Sequence, residues 1–394
     1  MTGAFRFEKK HVIALIEDTI RIKYSLDENA SSIEPSMNVW RLLLDDMATF
    51  FRLNTEAQAE LHRCGGVDAM AECIVQALSA HPVGIRFVTS GSTGTPVAVD
   101  HSLQAISQEV RQLIPLFPGV KNVVAVVPRY HLYGFMFALV LPQELAIGTR
   151  CLAPVPTTDF FEILRPGDVV VGFPLFWKAV ARIGRRFPDS VTGITSTGPC
   201  PADVIYDLEA AGLHHMREVF GSSETGALGM RSHPDEPFDL MPHWQRDPEN
   251  VFGLIRNVPG QGIQRLPFPD DVQWKDSRRF LPLGRKDKAV QVAGINVYPE
   301  HIASIIAEHP LVKLCTVRLD SSGSERLKAF VVPAHGSSLS PTDTNRLRQD
   351  LAKILKPEQM PRYIASGRTL PINGMGKICN WEKATGEVLK NTSL

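Results

Sequence analysis

The sequence predicts an α/β protein with two domains: a large N-terminal domain of mostly parallel sheet and helices, and a small α+β C-terminal domain. Through the middle of the chain, short apolar runs rich in β-branched residues alternate with helical patterns, which is typical of parallel sheets. A new set of strand and helix patterns follows the charged segment GRKD at 284–287. A chain of 394 residues is also long enough to form more than one domain.

Composition indicates an ordinary globular protein and excludes several functional classes. Lys plus Arg and Asp plus Glu both number 42, so the net charge is zero and gives no reason to expect nucleic acid or a membrane surface as a partner. The six cysteines are scattered without a C-x-x-C pair, which favours reduced thiols over a zinc site or disulfides. The N-terminus does not resemble a secretory signal, and no run of 18 apolar residues occurs. We therefore expect a cytoplasmic protein.

The predicted elements follow in chain order. The first 80 residues have helical periodicity and are expected to form an amphipathic scaffold. In the large domain, helices are predicted over 11–23, 38–53, 55–78 (as one or two helices), 102–116 and 174–187, and strands over 122–127, 168–171 and 191–196, with one more strand ending at Val219 and Phe220. In the small domain, a hairpin is predicted over 288–297, helices over 299–309 and 342–354, and strands over 314–319 and 328–332.

The stretch FVTSGSTGTPVAV at 87–99 is the main functional candidate. Glycines let backbone N–H groups approach a ligand, and successive N–H groups with added hydroxyls form a site for phosphates. A helix starting near residue 102 is expected to direct its N-terminus toward the same phosphates. The alternative is a surface loop, and the stretch lacks the lysine of a Walker A loop. The predicted nucleotide-binding residues are Ser90, Gly91, Ser92, Thr93, Gly94 and Thr95.

Two further polar stretches follow predicted strands. EVFGSSET at 218–225 misses the G-x-S-x-G pattern of serine hydrolases by one residue, because Gly226 comes too late. A carboxylate beside hydroxyls suits a Mg²⁺–phosphate site, so Glu224 is the metal-ligand candidate. PRYHLYG at 128–134 places His131 past the end of a strand, where open α/β sheets bind ligands, although a histidine there can also be a packed core residue.

Four motifs together resemble the acyl-adenylate-forming superfamily, which includes acyl- and aryl-CoA ligases, adenylation domains of peptide synthetases and luciferase relatives. SGSTGTP resembles its phosphate loop S-G-[ST]-T-G-x-P, and FGSSE resembles its Y-G-x-T-E. GRKD with GINVYP resembles G-R-x-D…G-x-x-V-x-P, and NGMGK resembles the C-terminal N-G-K loop. The four occur in the family's order over residues 87–378, although the region ahead of the phosphate loop is shorter than usual.

The resemblance implies roles for individual residues. Phe220 would stack on adenine, with Gly221 beside it, and Ser223 would contact the α-phosphate. Asp270 falls where the family has a ribose-binding aspartate, but the preceding threonine and glycine are absent, and a solvated acidic turn is the alternative. Arg285 would contact ribose. The ring of His131 would gate the acyl site. The acid would also bind against Tyr133, Gly134, Ser196, Gly198 and Pro199. The turn that contains the last three could equally be a simple turn that closes a strand.

The resemblance also divides the chain into an adenylation domain over 1–286 and a mobile cap domain over 287–394, with Asp287 as the hinge. The cap would deliver Lys377 from a glycine-flanked loop. Attack of a carboxylate on the α-phosphate of ATP brings two anions together, and a lysine between them stabilises the charge that develops. Two lysines that are common in the family are replaced here. Val97 suggests weaker contacts to pyrophosphate, and Gln291 puts in doubt a contact that the family makes in one of the two cap orientations.

The sequence thus predicts an ATP-dependent acid–thiol ligase that forms acyl-AMP with Mg²⁺ and transfers the acyl group to a thiol. PRYHLYG most resembles aryl-CoA ligases such as 4-coumarate-CoA ligase, so an aromatic or short acyl acid is expected. The acceptor is either coenzyme A or the phosphopantetheine of a separate carrier protein. A non-catalytic nucleotide-binding or scaffold protein that has kept the fold is the alternative from another class.

Overall fold

The structure is a computed structural model that describes residues 5–24, 37–90, 96–250, 252–285, 289–320, 326–371 and 381. The chain divides into two compact units. The first comprises residues up to Thr89 and from Val97 to Leu283, and the second extends from Gly284. The predicted domain boundary, between residues 286 and 287, falls three residues after Leu283.

A nine-stranded mixed sheet organises the first unit. Its nine strands are β3 (Asn122–Ala125), β4 (Gly148–Cys151), β5 (Val169–Gly172), β6 (Thr192–Thr195), β7 (His215–Ser222), β8 (Gly226–Arg231), β9 (Phe238–Leu240), β13 (Asp270–Trp274) and β14 (Arg279–Arg285). Their order in the sheet is β13-β14-β9-β8-β7-β6-β5-β3-β4. Neighbours from β4 through β3, β5 and β6 to β7 pair in parallel, and the pairs from β7 through β8 and β9 to β14 are antiparallel.

Two smaller sheets complete the strands of this unit. Ile85–Ser90 (β1) and Pro96–His101 (β2) form a two-stranded sheet on either side of the predicted phosphate loop. Gln245–Arg246 (β10), Gly253–Val258 (β11) and Gly262–Pro267 (β12) form an antiparallel three-stranded sheet. The sequence patterns did not predict the strands between residues 231 and 283.

Alternating side chains of the parallel strands enter two different cores. Val123 and Ala125 pack in one core, while Val124 and Val126 pack in the other. A strand covered on both faces is apolar at successive positions, which is why the all-valine run of β5 is buried throughout and was recognisable as a parallel strand.

Helices cover the sheet and form the N-terminal scaffold. The helix predicted over 55–78 is two helices, and those over 11–23 and 102–116 end in π-helical and 3₁₀ turns. The helices are α1 (Lys9–Asp18), α2 (Met37–Phe50), α3 (Thr55–Leu61), α4 (Val67–Ala80), α5 (Leu103–Leu113), α6 (Leu132–Phe135), α7 (Leu141–Glu144), α8 (Asp159–Ile163), α9 (Pro174–Ile183) and α10 (Ala202–Ala210), with π-helical turns at Thr19–Lys23 and Met136–Val140 and a 3₁₀ turn at Ile114–Leu116.

The second unit is a small α+β structure with its own core. A hairpin of β15 and β16 precedes α11, and a three-stranded sheet has the order β17-β18-β19, with β19 parallel to β18. Each element predicted in this region is present within a few residues of its expected bounds. They are β15 (Val290–Val292), β16 (Ile295–Val297), α11 (Pro299–Ala307), β17 (Val312–Leu319), β18 (Leu327–Pro333), α12 (Pro341–Leu351) and β19 (Tyr363–Ser366).

The fold class predicted from the sequence is therefore confirmed. Among the described residues, none of the helices combines the length and the apolar character needed to cross a lipid bilayer.

Candidate functional site

Several predicted site residues meet at the carboxyl ends of neighbouring parallel strands in the first unit. In the sheet, Thr195 at the end of β6 lies between Gly172 of β5 and Glu218 of β7. The turn at 196–199 follows β6, the FGSSET segment ends β7, and His131 follows β3. Open α/β sheets bind ligands at this edge.

The turn that carries Ser223 and Glu224 is held by its own hydrogen bonds. Strand β7 continues to Ser222, so it ends two residues later than predicted. The Oγ1 atom of Thr225 accepts a hydrogen bond from the Ser222 N–H at 3.1 Å. The ring nitrogen Nε2 of His101, at the end of β2, lies 2.6 Å from the carbonyl oxygen of Ser223.

A buried glutamate supports the other side of the same turn. The Glu109 carboxylate, on α5, accepts a hydrogen bond from the Ala227 N–H at 3.1 Å. Gly226 adopts a φ of +71°, and a Cβ there would overlap the Glu109 carboxylate, so this position requires glycine. Burial raises the Glu109 pKa to about 7, while the Ala227 N–H and the Arg256 charge lower it less.

Glu224 itself is exposed and, among the described residues, its carboxylate has neither a hydrogen bond nor an ion pair. No group of three or more His, Cys, Asp or Glu side chains in the described part of the chain is arranged to hold a metal by itself. Mg²⁺ is commonly bound by one or two carboxylates together with substrate phosphates, so an exposed carboxylate beside the predicted nucleotide-binding residues fits this ion.

Phe220 is half-buried in a cluster of phenylalanine rings. Its ring stacks on that of Phe268 at 6.0 Å between centroids and meets the edge of Phe280 at 5.3 Å. This packing holds the ring and leaves only part of it exposed to meet a base. Gly221 is exposed, and a Cβ there would overlap the carbonyl oxygen of Gly226, so the turn requires glycine here too.

The structure describes only some of the remaining residues that are predicted to bind the nucleotide. Asp270 is the first residue of β13 and is only 8% exposed, so the alternative of a solvated acidic turn is wrong. Ser90 ends β1, and Arg285 ends β14. The rest of the predicted phosphate loop (91–95), the hinge Asp287 and the catalytic candidate Lys377 lie outside the described residues.

His131, which the sequence predicts to bind the acid, lies at the N-cap of α6. His131 is exposed, and the Tyr130 ring packs against its ring at 4.6 Å between centroids. Desolvation by the surrounding protein, together with the nearby Lys23 charge, lowers the pKa of the imidazole to about 4. The imidazole is therefore neutral at physiological pH.

The segment before His131 is tied to the N-terminal scaffold. Arg129 forms an ion pair with Asp18, at 3.7 Å, and its backbone N–H donates to the Asp18 carboxylate at 3.2 Å. The Arg129 guanidinium also donates to the carbonyl oxygens of Ala14 on α1 and Ala138 in the second π-helical turn, each at 3.3 Å. Arg129, which precedes His131, thus connects α1 to the π-helical turn that follows His131 in the chain.

Three predicted acid-site residues have structural partners of their own. The Tyr133 hydroxyl donates to the Gly172 carbonyl at 2.9 Å, and burial raises its pKa well above the ordinary value. Gly134 is buried where a Cβ would overlap the Pro128 carbonyl. The Ser196 hydroxyl donates to the Val219 carbonyl at 2.8 Å and so joins the end of β6 to β7.

Thr197 lies in the predicted substrate turn but is not among the residues predicted to contact the acid. It has a φ of +75° in the turn that continues through Gly198 and Pro199, and its buried hydroxyl has no partner among the described residues, like that of the neighbouring Thr195. A β-branched residue in this conformation is strained, and such strain concentrates at functional sites. A local sequence pattern carries no signal of either property.

Known proteins support this interpretation. The chain is 37% identical over 335 residues to a 4-coumarate-CoA ligase of Halorhodospira halophila, covering 84% of this chain and 83% of that protein. It is 33% identical to the 4-coumarate-CoA ligase of Cereibacter sphaeroides, covering 75% and 70%. A 3,4-dihydroxybenzoate–aryl-carrier-protein ligase of Bacillus anthracis is 24% identical, covering 80% and 76%. No protein-family model matches the chain.

Solved structures share the fold. An o-succinylbenzoate-CoA synthetase of Bacillus subtilis superposes with a TM-score of 0.61 at 14% identity, covering 76% of this chain and 68% of that one. An amide bond synthetase of Marinactinospora thermotolerans gives a TM-score of 0.61 at 20% identity, covering 74% and 67%. The fold and the relatives define an AMP-forming acid–thiol ligase. The chain belongs to the acyl-adenylate-forming superfamily, alongside the CoA ligases that it resembles at 33–37% identity.

Proposed function

We propose that this enzyme activates an aromatic carboxylic acid, such as a hydroxycinnamate or hydroxybenzoate, and transfers it to coenzyme A. The observation that carries the proposal is the 37% identity to a 4-coumarate-CoA ligase over 84% of the chain. Because this similarity spans both compact units, the whole two-step reaction is the expected activity rather than nucleotide binding alone. A non-catalytic scaffold is correspondingly disfavoured.

In the first step, the carboxylate of the acid attacks the α-phosphate of ATP and expels pyrophosphate. Ser223 would contact the α-phosphate, the exposed Glu224 carboxylate would hold Mg²⁺, and the loop at 90–95 would bind the remaining phosphates. Mg²⁺ supplies positive charge beside the phosphates. Lys377 would lie between the carboxylate and the phosphate, two anions that otherwise repel each other.

On the acid side, the proposed contacts are His131 and the turn from Ser196 to Pro199. A neutral imidazole binds an aromatic acid without adding a second cation to the site, and its low pKa keeps it neutral. The buried Thr197 hydroxyl, which has no partner among the described residues, is a donor that an incoming carboxylate or ring hydroxyl would satisfy.

A cleft in the second unit favours coenzyme A as the thiol. It has a volume of about 320 Å³, and its lining includes Arg326, Arg348 and Arg362 and no acidic residue. The Arg348 guanidinium is already oriented by the Arg362 carbonyl at 2.7 Å. Guanidinium groups bind phosphates well, and coenzyme A carries three phosphoryl groups where a carrier's phosphopantetheine carries one.

ATP–pyrophosphate exchange across a panel of aryl and short-chain acids tests the first step, and product analysis with coenzyme A tests the second. We expect exchange with 4-coumarate or 4-hydroxybenzoate, a thioester with coenzyme A, and loss of exchange in Lys377→Ala. Exchange without a CoA thioester would exclude coenzyme A as the acceptor of that acid and point to a carrier protein. No exchange with any acid, or full exchange in Lys377→Ala, would contradict the proposed mechanism.

Arg362→Ala provides a separate test of the acceptor. It should raise KM for coenzyme A while leaving ATP–pyrophosphate exchange unchanged, because exchange does not involve the thiol. Arg346→Ala, on the same unit but not part of the cleft lining, is the matched control. An unchanged KM in Arg362→Ala would exclude this cleft from coenzyme A binding. The cytoplasmic location predicted from the sequence remains a prediction.

A further inference from the structure

The second unit contains a small cluster of buried side chains that is separate from its main core. The buried members are Phe330, Ala365 and Trp381, and Leu370 packs against them. Leu370 and Trp381 lie on opposite sides, in sequence, of the segment that carries Lys377. One cluster therefore holds the chain both before and after the proposed catalytic lysine. We call these four residues the Trp381 cluster.

Trp381 is held by polar as well as apolar contacts. The Lys328 ammonium donates a hydrogen bond to the Trp381 carbonyl oxygen at 2.9 Å and lies 5.1 Å from the centre of the indole ring. The Phe330 ring meets the indole edge-to-face at 5.9 Å. Trp381 and Lys328 are each only 4% exposed. Backbone and side chain of Trp381 are thus both fixed to β18.

The covalent chain limits how far Lys377 can lie from this attachment. Lys377 is four residues before Trp381 and seven residues after Leu370. An extended chain spans at most about 3.6 Å per residue, so the four residue steps from Lys377 to Trp381 amount to a connection of at most roughly 14 Å. Counted in residues, the shorter of the two connections is therefore the one to Trp381.

We propose that Trp381 is a positioning residue for Lys377, anchored on β18 by Lys328 and Phe330. This inference rests on the proposed function, in which Lys377 acts in the adenylation step. A lysine that must lie between two anions loses effect when its position varies by an ångström or so. Loss of the anchor therefore weakens adenylation more than the transfer of an already formed acyl-adenylate to the thiol.

The test measures both half-reactions in Trp381→Ala, with Lys377→Ala as the reference. We expect ATP–pyrophosphate exchange to fall at least tenfold, while thioester formation from synthetic acyl-AMP and coenzyme A changes by less than about twofold. Trp381→Phe keeps an aromatic ring in the cluster and should recover most of the exchange. Lys328→Met removes the hydrogen bond and should reproduce the selective loss in weaker form.

A control separates positioning from a general loss of stability. Ile306→Ala removes a fully buried side chain from the main core of the same unit. It should lower the thermal midpoint and leave the ratio of the two half-reactions unchanged. If Trp381→Ala reduces both half-reactions equally, or neither, while Lys377→Ala abolishes exchange, the positioning role is wrong. If Lys377→Ala keeps full exchange, the proposed function fails instead.

Discussion

His101 and Ser223 are joined by a 2.6 Å contact between the imidazole Nε2 and the backbone carbonyl oxygen, although 122 residues separate them in the chain. His101 ends β2, the strand that follows the predicted phosphate loop, and Ser223 lies in the turn after β7. The contact thus connects the strand that follows the predicted phosphate loop to the turn that is predicted to contact the α-phosphate. His101 is 4% exposed, and burial lowers its pKa.

Replacement of His101 by alanine should weaken ATP binding. The lost contact leaves the part-buried Ser223 carbonyl without its His101 partner and frees the Ser223–Glu224 turn, so we expect KM for ATP to rise about tenfold. Steady-state exchange kinetics at varied ATP measure this change. His233→Ala, which alters an exposed histidine, is the matched control. Equal ATP affinity in His101→Ala and wild type would show that the contact does not shape the site.

Glu109 should make the stability of the enzyme depend on pH. Its folded pKa of about 7 lies above the ordinary 4.5, so between these values the folded state keeps a proton that the unfolded state has lost. The free energy of unfolding then falls as pH rises from about 4.5 to about 7, by roughly 3 kcal/mol in total. Glu109→Gln keeps an acceptor for the Ala227 N–H and should remove this fall.

Urea unfolding of wild type and Glu109→Gln at several pH values between 5 and 8 measures this difference. Glu17→Gln, which makes the same change of charge at an exposed position on α1, is the control and should follow the wild-type slope. Parallel pH dependence in wild type and Glu109→Gln would show that the Glu109 carboxylate does not titrate in this range.

Gly226→Ala should destabilise the first unit more than Gly119→Ala does. Gly119 has nearly the same φ, +72° compared with +71°, but a Cβ there meets nothing within 4 Å. We expect Gly119→Ala to cost about 1–2 kcal/mol from the backbone alone. Gly226→Ala also displaces the Glu109 carboxylate, so its unfolding midpoint should be distinctly lower. Equal midpoints would contradict the close approach.

The ion pair between Arg129 and Asp18 should contribute both to the stability of the enzyme and to binding of the acid near His131. Asp18 is 3% exposed, so Arg129→Met leaves a buried carboxylate with Arg21 as its one remaining charged partner among the described residues. We expect a loss of about 3 kcal/mol in unfolding free energy, together with a higher KM for the acid because His131 is less well held. Denaturant unfolding and exchange kinetics with varied acid measure the two effects.

Lys9→Met is the matched control for this prediction. It breaks an ion pair with Asp68 in which both side chains are exposed, and such pairs contribute little. It should leave both stability and acid KM unchanged. If Arg129→Met behaves like Lys9→Met, the connection between α1 and the His131 segment does not matter for function.

Much of the fold and of the motif order was predictable because it follows from short-range patterns. The apolar run of β5 and the hairpin after GRKD were recognisable from adjacent residues alone. The four motifs also determined the family, since each is a continuous stretch whose residue types serve one piece of phosphate or acid chemistry. Strands between residues 231 and 283 escaped prediction because edge and antiparallel strands are only partly apolar, as in the largely exposed β12.

What only the tertiary structure decided is which distant side chains hold these motifs in place. Glu109 reaches Ala227 across 118 positions, and Asp18 reaches Arg129 across 111. The strained conformation of Thr197 and the burial of Asp270 likewise depend on surrounding elements. A sequence motif specifies the groups that contact a substrate, because their chemistry is local. The supporting contacts depend on how the whole chain packs, and that packing becomes visible only in three dimensions.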